Sequence, residues 1–282
     1  MRAWLVAVCA LWGACAGAQD FRLERDASFE GADKSVIHPV SLVVDPNKVA
    51  LDIVAVKFEF GLNEGSVRAI GDVLDSDERW RHKPLALANG GLSSYRADVP
   101  LGLLIVDGRV YGRVSREKTT RVGDDGAKSE GFRWSGILCQ RSADAVWDIV
   151  TVEQYAPDTC RQALQSGPLL VEPDGVPGID PKEPERRRAY ARTAVCLMGD
   201  RRLRLVVVAE PTHLYPFAQW LARPVAEGGA GCRVALNLSG DLSSGLLTRG
   251  PAPGKKGAAR PGEIVGPGSY PVPTVLLFTP RR

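Results

Sequence analysis

The chain has 282 residues, of which 44% are hydrophobic and 24% are charged, and this composition is close to that of an average soluble globular protein. A collagen repeat, a multi-span membrane protein and disorder throughout are therefore not expected. The net charge is only +3, so charge-driven binding of nucleic acid is not expected either. At about 150 residues per domain, the length allows one large domain or two small ones.

The N-terminal eighteen residues have the pattern of a secretory signal peptide. Arg2 precedes an uncharged apolar run that ends in small residues at Ala18. The run is short for a bilayer span, and no later segment approaches the length of one, so no transmembrane span is expected. Lipoprotein cleavage before Cys15 is less favoured, because Trp12 stands where a small or aliphatic residue is needed. We predict cleavage near Ala18 and a periplasmic or secreted protein formed by residues 19–282.

Four cysteines remain in the mature chain: Cys139, Cys160, Cys196 and Cys232. In an oxidising compartment this even number predicts two disulfide bonds, for which three connectivities are possible. We predict the bonds Cys139–Cys160 and Cys196–Cys232, since each joins the cysteines nearest in sequence. No Cys-x-x-Cys spacing occurs and the chain has only 3 histidines, so neither a metal site nor a cofactor is expected.

Strand patterns dominate the mature chain. Apolar and alternating runs predict strands at 36–44, 49–60, 85–88, 103–106, 109–115, 132–139, 145–152, 169–171, 191–198, 203–208 and, as a closing strand, 273–278. The pair Asp107–Gly108 between two apolar runs predicts a two-residue hairpin turn. Gly199 and Asp200 predict a second hairpin.

Helical and loop signals are few. Apolar residues recur at helical spacing over 216–223, and Pro224 is expected to end that helix. Two stretches rich in Pro and Gly, 172–188 and 250–271, predict exposed loops. Strands flank both loops, so we interpret them as excursions from one domain. The prediction is a single α+β domain, mainly mixed β-sheet with few helices.

Common catalytic signatures do not fit the sequence when their residues are counted. The stretch 250–256 is one residue short of a phosphate-binding loop and lacks its Ser or Thr. The stretch 240–245 is one residue too long for a nucleophile elbow. The turn that follows the apolar strand at 235–238 is rich in Ser, Gly and Asp. These are ordinary turn residues, and they can also bind an anion or a sugar through backbone amides and side-chain oxygens.

Several short segments carry a family signal when they are taken in order. They are Asn89-Gly90-Gly91, the glycine-rich hairpin 101–108, Gln165-Ser166-Gly167-Pro168, Arg192-Thr193, the strand entering Asn237, and 272–275. Together they resemble the phosphodiester glycosidase family over about residues 85–280. The resemblance implies a hydrolase that cleaves sugar-phosphate links, with a glycan or sugar-phosphate as its binding partner.

The resemblance also implies a site, composed of Asn89, Ser166, Arg192, Thr193, Asn237, Ser239, Asp241 and Ser243. Arg192 would bind the departing phosphate through its planar guanidinium, and Asp241 would supply a catalytic carboxylate. The other six would bind the substrate.

The chain departs from the family pattern in its Asp-Gly-Gly-Gly-Ser turn. Ser239 stands where the family has Asp, and Asp241 stands where it has Gly. Leu92 also replaces the Phe that commonly follows the first Asn-Gly-Gly. Two hypotheses follow: an active enzyme in which Asp241 substitutes for the displaced carboxylate, and an inactive relative that binds a glycan or sugar-phosphate.

Overall fold

Runs of Val, Leu and Ile form strands along much of the chain, because these side chains pack well on a pleated, half-buried surface. The computed structural model describes residues 23–62, 65–80, 83–92, 100–116, 118–122, 128–142, 146–180, 189–238, 240–249 and 263–281. The predicted signal peptide, Ser239 and the loop segments 181–188 and 250–262 lie outside the described residues.

Twenty strands and three α-helices are found in this part of the chain. The strands are β1 Leu23–Arg25, β2 Phe29–Glu30, β3 Val36–Ile37, β4 Val40–Val44, β5 Val49–Ala55, β6 Leu85–Asn89, β7 Leu104–Val106, β8 Arg109–Gly112, β9 Lys118–Val122, β10 Lys128–Arg133, β11 Gly136–Arg141, β12 Trp147–Thr151, β13 Cys160–Ser166, β14 Leu169–Val171, β15 Tyr190–Met198, β16 Leu203–Thr212, β17 Cys232–Asn237, β18 Leu246–Arg249, β19 Glu263–Val265 and β20 Thr274–Pro280. The helices are α1 Val56–Phe60, α2 Val67–Ser76 and α3 Leu214–Ala222.

Three sheets surround one central core. The first has the strand order β1-β4-β16-β15-β17-β14, the second β12-β11-β13-β7-β8, and the third β19-β18-β6-β20-β5. Apolar side chains from all three sheets meet in one buried cluster, including Leu205, Leu164 and Leu276. Burial of such a side chain stabilises the fold by about 1.5–3 kcal/mol.

The outer face of each sheet has its own cover. Helix α3 packs on the first sheet through Phe217 and Trp220, which stack with Phe29 of β2. Helix α2 packs on the third sheet through Ile70 and Leu74. A smaller apolar cluster on the second sheet contains the cysteines of β11 and β13. The central strands of the first and third sheets are therefore buried on two faces, and this accounts for their almost continuously apolar sequences.

Two disulfide bonds tie neighbouring strands together. One joins Cys139 to Cys160 across β11 and β13, and the other joins Cys196 to Cys232 across β15 and β17. These are the two pairings that nearest spacing predicts. Each bond reinforces contacts that the sheet already makes, so the disulfides hold the register of two of the three large sheets.

The predicted fold class is confirmed: the protein is an α+β domain made mainly of β-sheet with few helices. Every pairing between the described strands is antiparallel. The described sheets are therefore antiparallel, whereas the prediction was of mixed sheets. The Asp107–Gly108 hairpin is present between β7 and β8, with φ of 48° and 79° at its two central residues. Positive φ at both positions is the turn geometry that matches strand twist.

Several element predictions were wrong in detail. The run 49–60 is a strand only to Ala55; residues 56–60 form α1, which Gly61 ends in a left-handed conformation. The alternation Val56, Phe58, Phe60 fits a strand pattern, but Phe58 is 63% exposed and does not enter the core. Strand β13 was not predicted, and β19 lies inside a predicted loop.

Helix α2 was not predicted either, although the sequence carries its signal. Ser66 caps the helix by accepting a hydrogen bond from the Ala69 amide at 3.1 Å. Val67, Ile70 and Leu74 recur at helical spacing and are buried. Helix α3 starts two residues before the predicted start, at Leu214, and so places Pro216 in its first turn, where the missing amide hydrogen is not needed.

Candidate functional site

Three sheets bring the ends of their strands together around the buried side chain of Asn89, the last residue of β6. Its Oδ1 accepts hydrogen bonds from Thr193 Oγ1 at 2.8 Å and from the Gly245 amide at 3.0 Å. Asn89 and Thr193 are both inaccessible to solvent. Because Thr193 belongs to the first sheet and Asn89 to the third, the bond between their side chains joins interior strands of the two sheets.

Asn237 occupies the corresponding position at the end of β17. Its Nδ2 donates to the carbonyls of Gly167 at 3.0 Å and Leu238 at 2.8 Å. The Leu238 amide in turn donates to the Thr193 carbonyl at 2.9 Å. Asn237 therefore connects the segment after β13 with the strand that carries Thr193.

Some buried polar atoms at this junction have no hydrogen-bond partner among the described residues. They include Asn237 Oδ1 and Ser166 Oγ, and both side chains are almost fully buried. Buried oxygens are normally satisfied by protein or by ordered water. Unsatisfied oxygens gathered at strand ends are therefore suited to bind a water or the hydroxyls of a ligand.

Arg192 adds the positive charge of the site. It is only 5% exposed, its Nε donates to the Thr212 carbonyl at 3.2 Å, and its guanidinium lies 5.3 Å from the centre of the Tyr190 ring. A β-carbon added to Gly240 would lie 3.4 Å from Arg192 Nη1. The guanidinium therefore lies directly beside the turn that follows β17.

The described part of that turn is a 3₁₀ segment, Asp241–Ser243. Ser243 is buried, and its hydroxyl donates to the Gly240 carbonyl. Asp241 is exposed and has a φ of 58°, a left-handed conformation that favours glycine. The resemblance implies a glycine at this position, and the left-handed backbone explains why glycine would be favoured there. Asp241 adopts that backbone conformation and adds a carboxylate. Ser239 lies outside the described residues.

The structure brings Asn89, Thr193 and Asn237 into one hydrogen-bonded set, with Ser166 next to Gly167 in the chain. Arg192 precedes Thr193 in β15, and its guanidinium lies at the turn after β17. Ser243 and Asp241 lie in the turn that contacts Arg192. Thr274 is a further residue of this region that the sequence reasoning did not select. Its carbonyl accepts from the Gly90 amide at 2.9 Å, and its buried Oγ1 has no partner among the described residues.

Gln165 explains why the Gln-Ser-Gly-Pro segment begins with glutamine. Its Oε1 accepts from the amides of Leu103 at 2.9 Å and Ser115 at 2.8 Å. Its Nε2 donates to the carbonyls of Ser115 at 2.6 Å and Trp134 at 2.8 Å. The side chain is fully buried and uses all four of these bonds to hold the hairpin and β11 beside the site. Gln165 is thus a structural residue.

Within the ranges given above, no group of three or more His, Cys, Asp or Glu side chains is placed to hold a metal ion. None of the described helices is long and apolar enough to cross a bilayer.

The sequence model of the phosphodiester glycosidase family matches residues 82–279. The chain belongs to the phosphodiester glycosidase family. The match begins just before β6 and ends in β20, so it contains every described residue of the candidate site. A comparison with curated protein sequences finds no match.

Solved structures share the fold at low sequence identity. The catalytic domain of zebrafish N-acetylglucosamine-1-phosphodiester alpha-N-acetylglucosaminidase, auto-inhibited by its pro-peptide, superposes with a TM-score of 0.56 at 15% identity, covering 95% of this chain and 85% of that one. A hypothetical protein from Synechocystis superposes with a TM-score of 0.53 at 12% identity, covering 92% of this chain and 62% of that one. A putative exported protein from Burkholderia pseudomallei gives 0.50 at 12% identity, covering 88% and 75%.

Proposed function

We propose that the protein hydrolyses the bond between a sugar and a phosphodiester in an envelope or exported glycan. The observation that carries this proposal is the position of Arg192, a buried guanidinium beside the turn after β17 and next to Thr193, the hydrogen-bond partner of Asn89. Family membership supports the same chemistry. A fixed cation beside hydrogen-bonding groups is what a sugar-phosphate requires.

The chemistry assigns a different task to each group. Cleavage develops positive charge on the anomeric carbon while the phosphate leaves as an anion, which needs little protonation. The planar guanidinium of Arg192 can bind two phosphate oxygens at once. Asn237 Oδ1, which has no partner among the described residues, would accept a sugar hydroxyl. Asn89 and Thr193 would hold the strand ends in place through their own hydrogen bond, and the carboxylate of Asp241 would stabilise the anomeric carbon or assist the attacking water.

The proposal is tested by the release of free sugar from a panel of sugar-1-phosphodiesters. Arg192→Gln and Asp241→Asn should each lower turnover by about two to four orders of magnitude, since each removes a charged group that acts on the transition state. Arg233→Gln serves as the control, because Arg233 is an exposed arginine of β17 that pairs with Asp148 at 3.5 Å. Full turnover in folded Arg192→Gln protein would exclude the proposed mechanism.

The alternative function is that of an inactive relative that binds a glycan or sugar-phosphate. It is favoured by the exposure of Asp241 and by Ser239, which cannot ionise at neutral pH. In that case Asp241→Asn should change ligand affinity by only about two- to threefold. Restoring the family pattern with Ser239→Asp and Asp241→Gly separates the two: a degenerate enzyme gains hydrolysis, whereas an adapted one loses it.

We also propose that the protein is exported and works in the periplasm or outside the cell. Two disulfide bonds support this placement, because such bonds persist in oxidising compartments. Mass spectrometry of protein recovered from its native compartment should find Gln19 at the N-terminus. A lipid-modified Cys15 at the N-terminus would contradict cleavage at Ala18, and retention of the leader in the cytoplasm would contradict export.

A further inference from the structure

A cleft lies between the edge strand β5 and the β7–β8 hairpin. Its volume is about 360 Å³, within the lower part of the range of about 300–1,000 Å³ that small-molecule sites occupy. Its lining includes Asp52, Gln162, Phe58, Tyr111, Trp80 and Asp107. No residue of the candidate active site lines it, so the cleft is a separate feature of the molecule.

Fixed polar groups form one side of this cleft. Gln162 is 3% exposed, and its Oε1 accepts from the Ile53 amide at 2.7 Å. Its Nε2 donates to Asp52 Oδ1 at 3.2 Å and to Gln140 Oε1 at 3.3 Å. Gln162 is thereby locked between two sheets and holds the Asp52 carboxylate in place. Asp52 Oδ2 accepts no hydrogen bond from the described residues, so it is available to a donor on a ligand.

Aromatic rings also line the cleft. The rings of Phe58 and Tyr111 pack with their centres 4.9 Å apart, and Phe58 is 63% exposed. The guanidinium of Arg109 lies 5.1 Å from the centre of the Tyr111 ring and 6.0 Å from the centre of the Phe58 ring, and this contact helps to hold both rings. A rigid aromatic surface left open to solvent is suited to pack against the apolar face of a ligand.

The charged groups that line the cleft favour a neutral ligand over an anion. Three carboxylates line it, those of Asp52, Asp107 and Glu59, and no cationic side chain does so among the described lining residues. Asp107 is paired with Arg161 at 3.2 Å and Glu59 lies 3.8 Å from Arg79, with both arginines largely exposed. A phosphate entering the cleft would therefore meet negative charge. Hydroxyl donors, in contrast, find carboxylate acceptors.

We infer that this cleft binds a neutral sugar ring, which packs one face on Tyr111 and Phe58 and donates hydroxyl hydrogens to Asp52. Sugars combine an apolar ring face with hydroxyl donors at the ring edge, and the cleft presents the complement of each. The inference does not depend on the proposed hydrolysis, because the cleft shares no residue with that site. A glycan could thus be held at a position distinct from the one where it reacts.

Calorimetric titration of the mature protein with phosphate-free trisaccharides tests this inference. Maltotriose, cellotriose and the trimer of N-acetylglucosamine are suitable probes, and we expect at least one of them to bind. Tyr111→Ala should weaken that binding about tenfold or more by removing the aromatic surface, and Asp52→Asn should weaken it similarly by removing the charged acceptor. Inorganic phosphate should not compete.

Two control variants show whether the sugar binds in this cleft or elsewhere on the protein. Val110→Ala alters an exposed residue of the same strand, 61% accessible and outside the lining, and should leave affinity unchanged. Arg192→Gln should also leave trisaccharide binding intact. Absence of binding by all three trisaccharides, or equal affinity in Tyr111→Ala and Val110→Ala, would overturn the inference without affecting the hydrolysis assay. Loss of binding in Arg192→Gln would place the sugar in the other site.

Discussion

At the scale of single residues, the hydroxyl of Thr193 is the clearest link between two sheets. Thr193→Val keeps the shape of the side chain but removes the hydrogen bond to Asn89 Oδ1. We expect a loss of about 1–2 kcal/mol of unfolding free energy, because a fully buried acceptor loses one of its donors. Urea denaturation measures the change.

Thr212→Val is the matched control for that variant. Thr212 is equally buried, but its Oγ1 has no partner among the described residues. Arg192 donates to the Thr212 backbone carbonyl, which the substitution leaves in place. The same substitution should here be neutral within about 0.5 kcal/mol or stabilising. Equal losses in both variants would show that the Thr193–Asn89 bond contributes nothing specific.

Asp241 is held in a backbone conformation that glycine adopts more easily. Asp241→Gly should stabilise the fold by up to about 1 kcal/mol, because it relieves the left-handed strain of a side-chain-bearing residue. Leu242→Gly, at the next position with an ordinary negative φ, should destabilise it by about 0.5–1 kcal/mol. Thermal unfolding should show a higher melting temperature for Asp241→Gly and a lower one for Leu242→Gly. A shift in the same direction for both variants would contradict the backbone explanation.

Asp52 makes stability depend on pH. Burial, reinforced by the nearby Asp107, raises the pKa of Asp52, although the hydrogen bond from Gln162 lowers it in part. The folded state therefore holds the Asp52 proton more tightly than the unfolded chain does. The stability contributed by the protonated form is present below the unfolded pKa of about 3.9 and is lost as the pH rises through the folded pKa.

Asp52→Asn should accordingly raise the melting temperature at pH 7, and the gain should disappear toward pH 3. Asp200→Asn is the control of opposite sign. The Arg202 amide and side chain lower the pKa of Asp200, so that variant should lose stability at neutral pH and recover as the pH falls. A stabilising effect of Asp52→Asn that stays constant down to pH 3 would exclude titration of Asp52 as the cause.

At the scale of the elements, Gln165 determines how the hairpin meets the site. Gln165→Leu has a similar size but removes four hydrogen bonds, and it leaves the amides of Leu103 and Ser115 without their acceptor. We expect a loss of about 3–5 kcal/mol, since each unsatisfied buried group costs about 1–3 kcal/mol. Equilibrium denaturation checks this value.

Gln154→Leu is the matched control, because Gln154 is exposed in the turn after β12 and its side chain accepts from the Thr151 amide at 3.1 Å. Its effect should stay within about 0.5 kcal/mol. If Gln165→Leu were equally mild, the hairpin would have to be held by its strand pairing alone.

At the scale of the whole molecule, the two disulfide bonds make stability depend on the redox state of the surroundings. They close loops with sequence separations of 21 and 36 residues, and each should stabilise the protein by about 3–4 kcal/mol. Denaturation with and without a reductant measures the combined contribution of both bonds to the unfolding free energy. Replacing both cysteines of the longer loop, Cys196→Ala together with Cys232→Ala, measures the contribution of that bond alone. An unfolding midpoint that does not respond to reduction would contradict this expectation.

The sequence alone was sufficient to predict the strand-rich class, the hairpin at Asp107 and the family. These features depend on local chemistry: β-branched runs favour strands, and an Asp-Gly pair accepts positive φ at both turn positions. The pairing of cysteines agreed with nearest spacing, and each bond joins strands that pair in a sheet although another strand lies between them in the chain. The order of the motifs indicated which strand ends carry the candidate site residues.

Only the tertiary structure decided which residues meet. Asn89 and Thr193 are 104 residues apart, and their hydrogen bond exists because interior strands of two separate sheets meet there. No local pattern distinguishes Gln165, which is structural, from Asn237, whose Oδ1 is without a partner among the described residues. The cleft beside β5 is likewise invisible in the sequence, since Asp52 and Gln162 are 110 positions apart. Local preference determines the elements, whereas burial against distant elements determines their contacts.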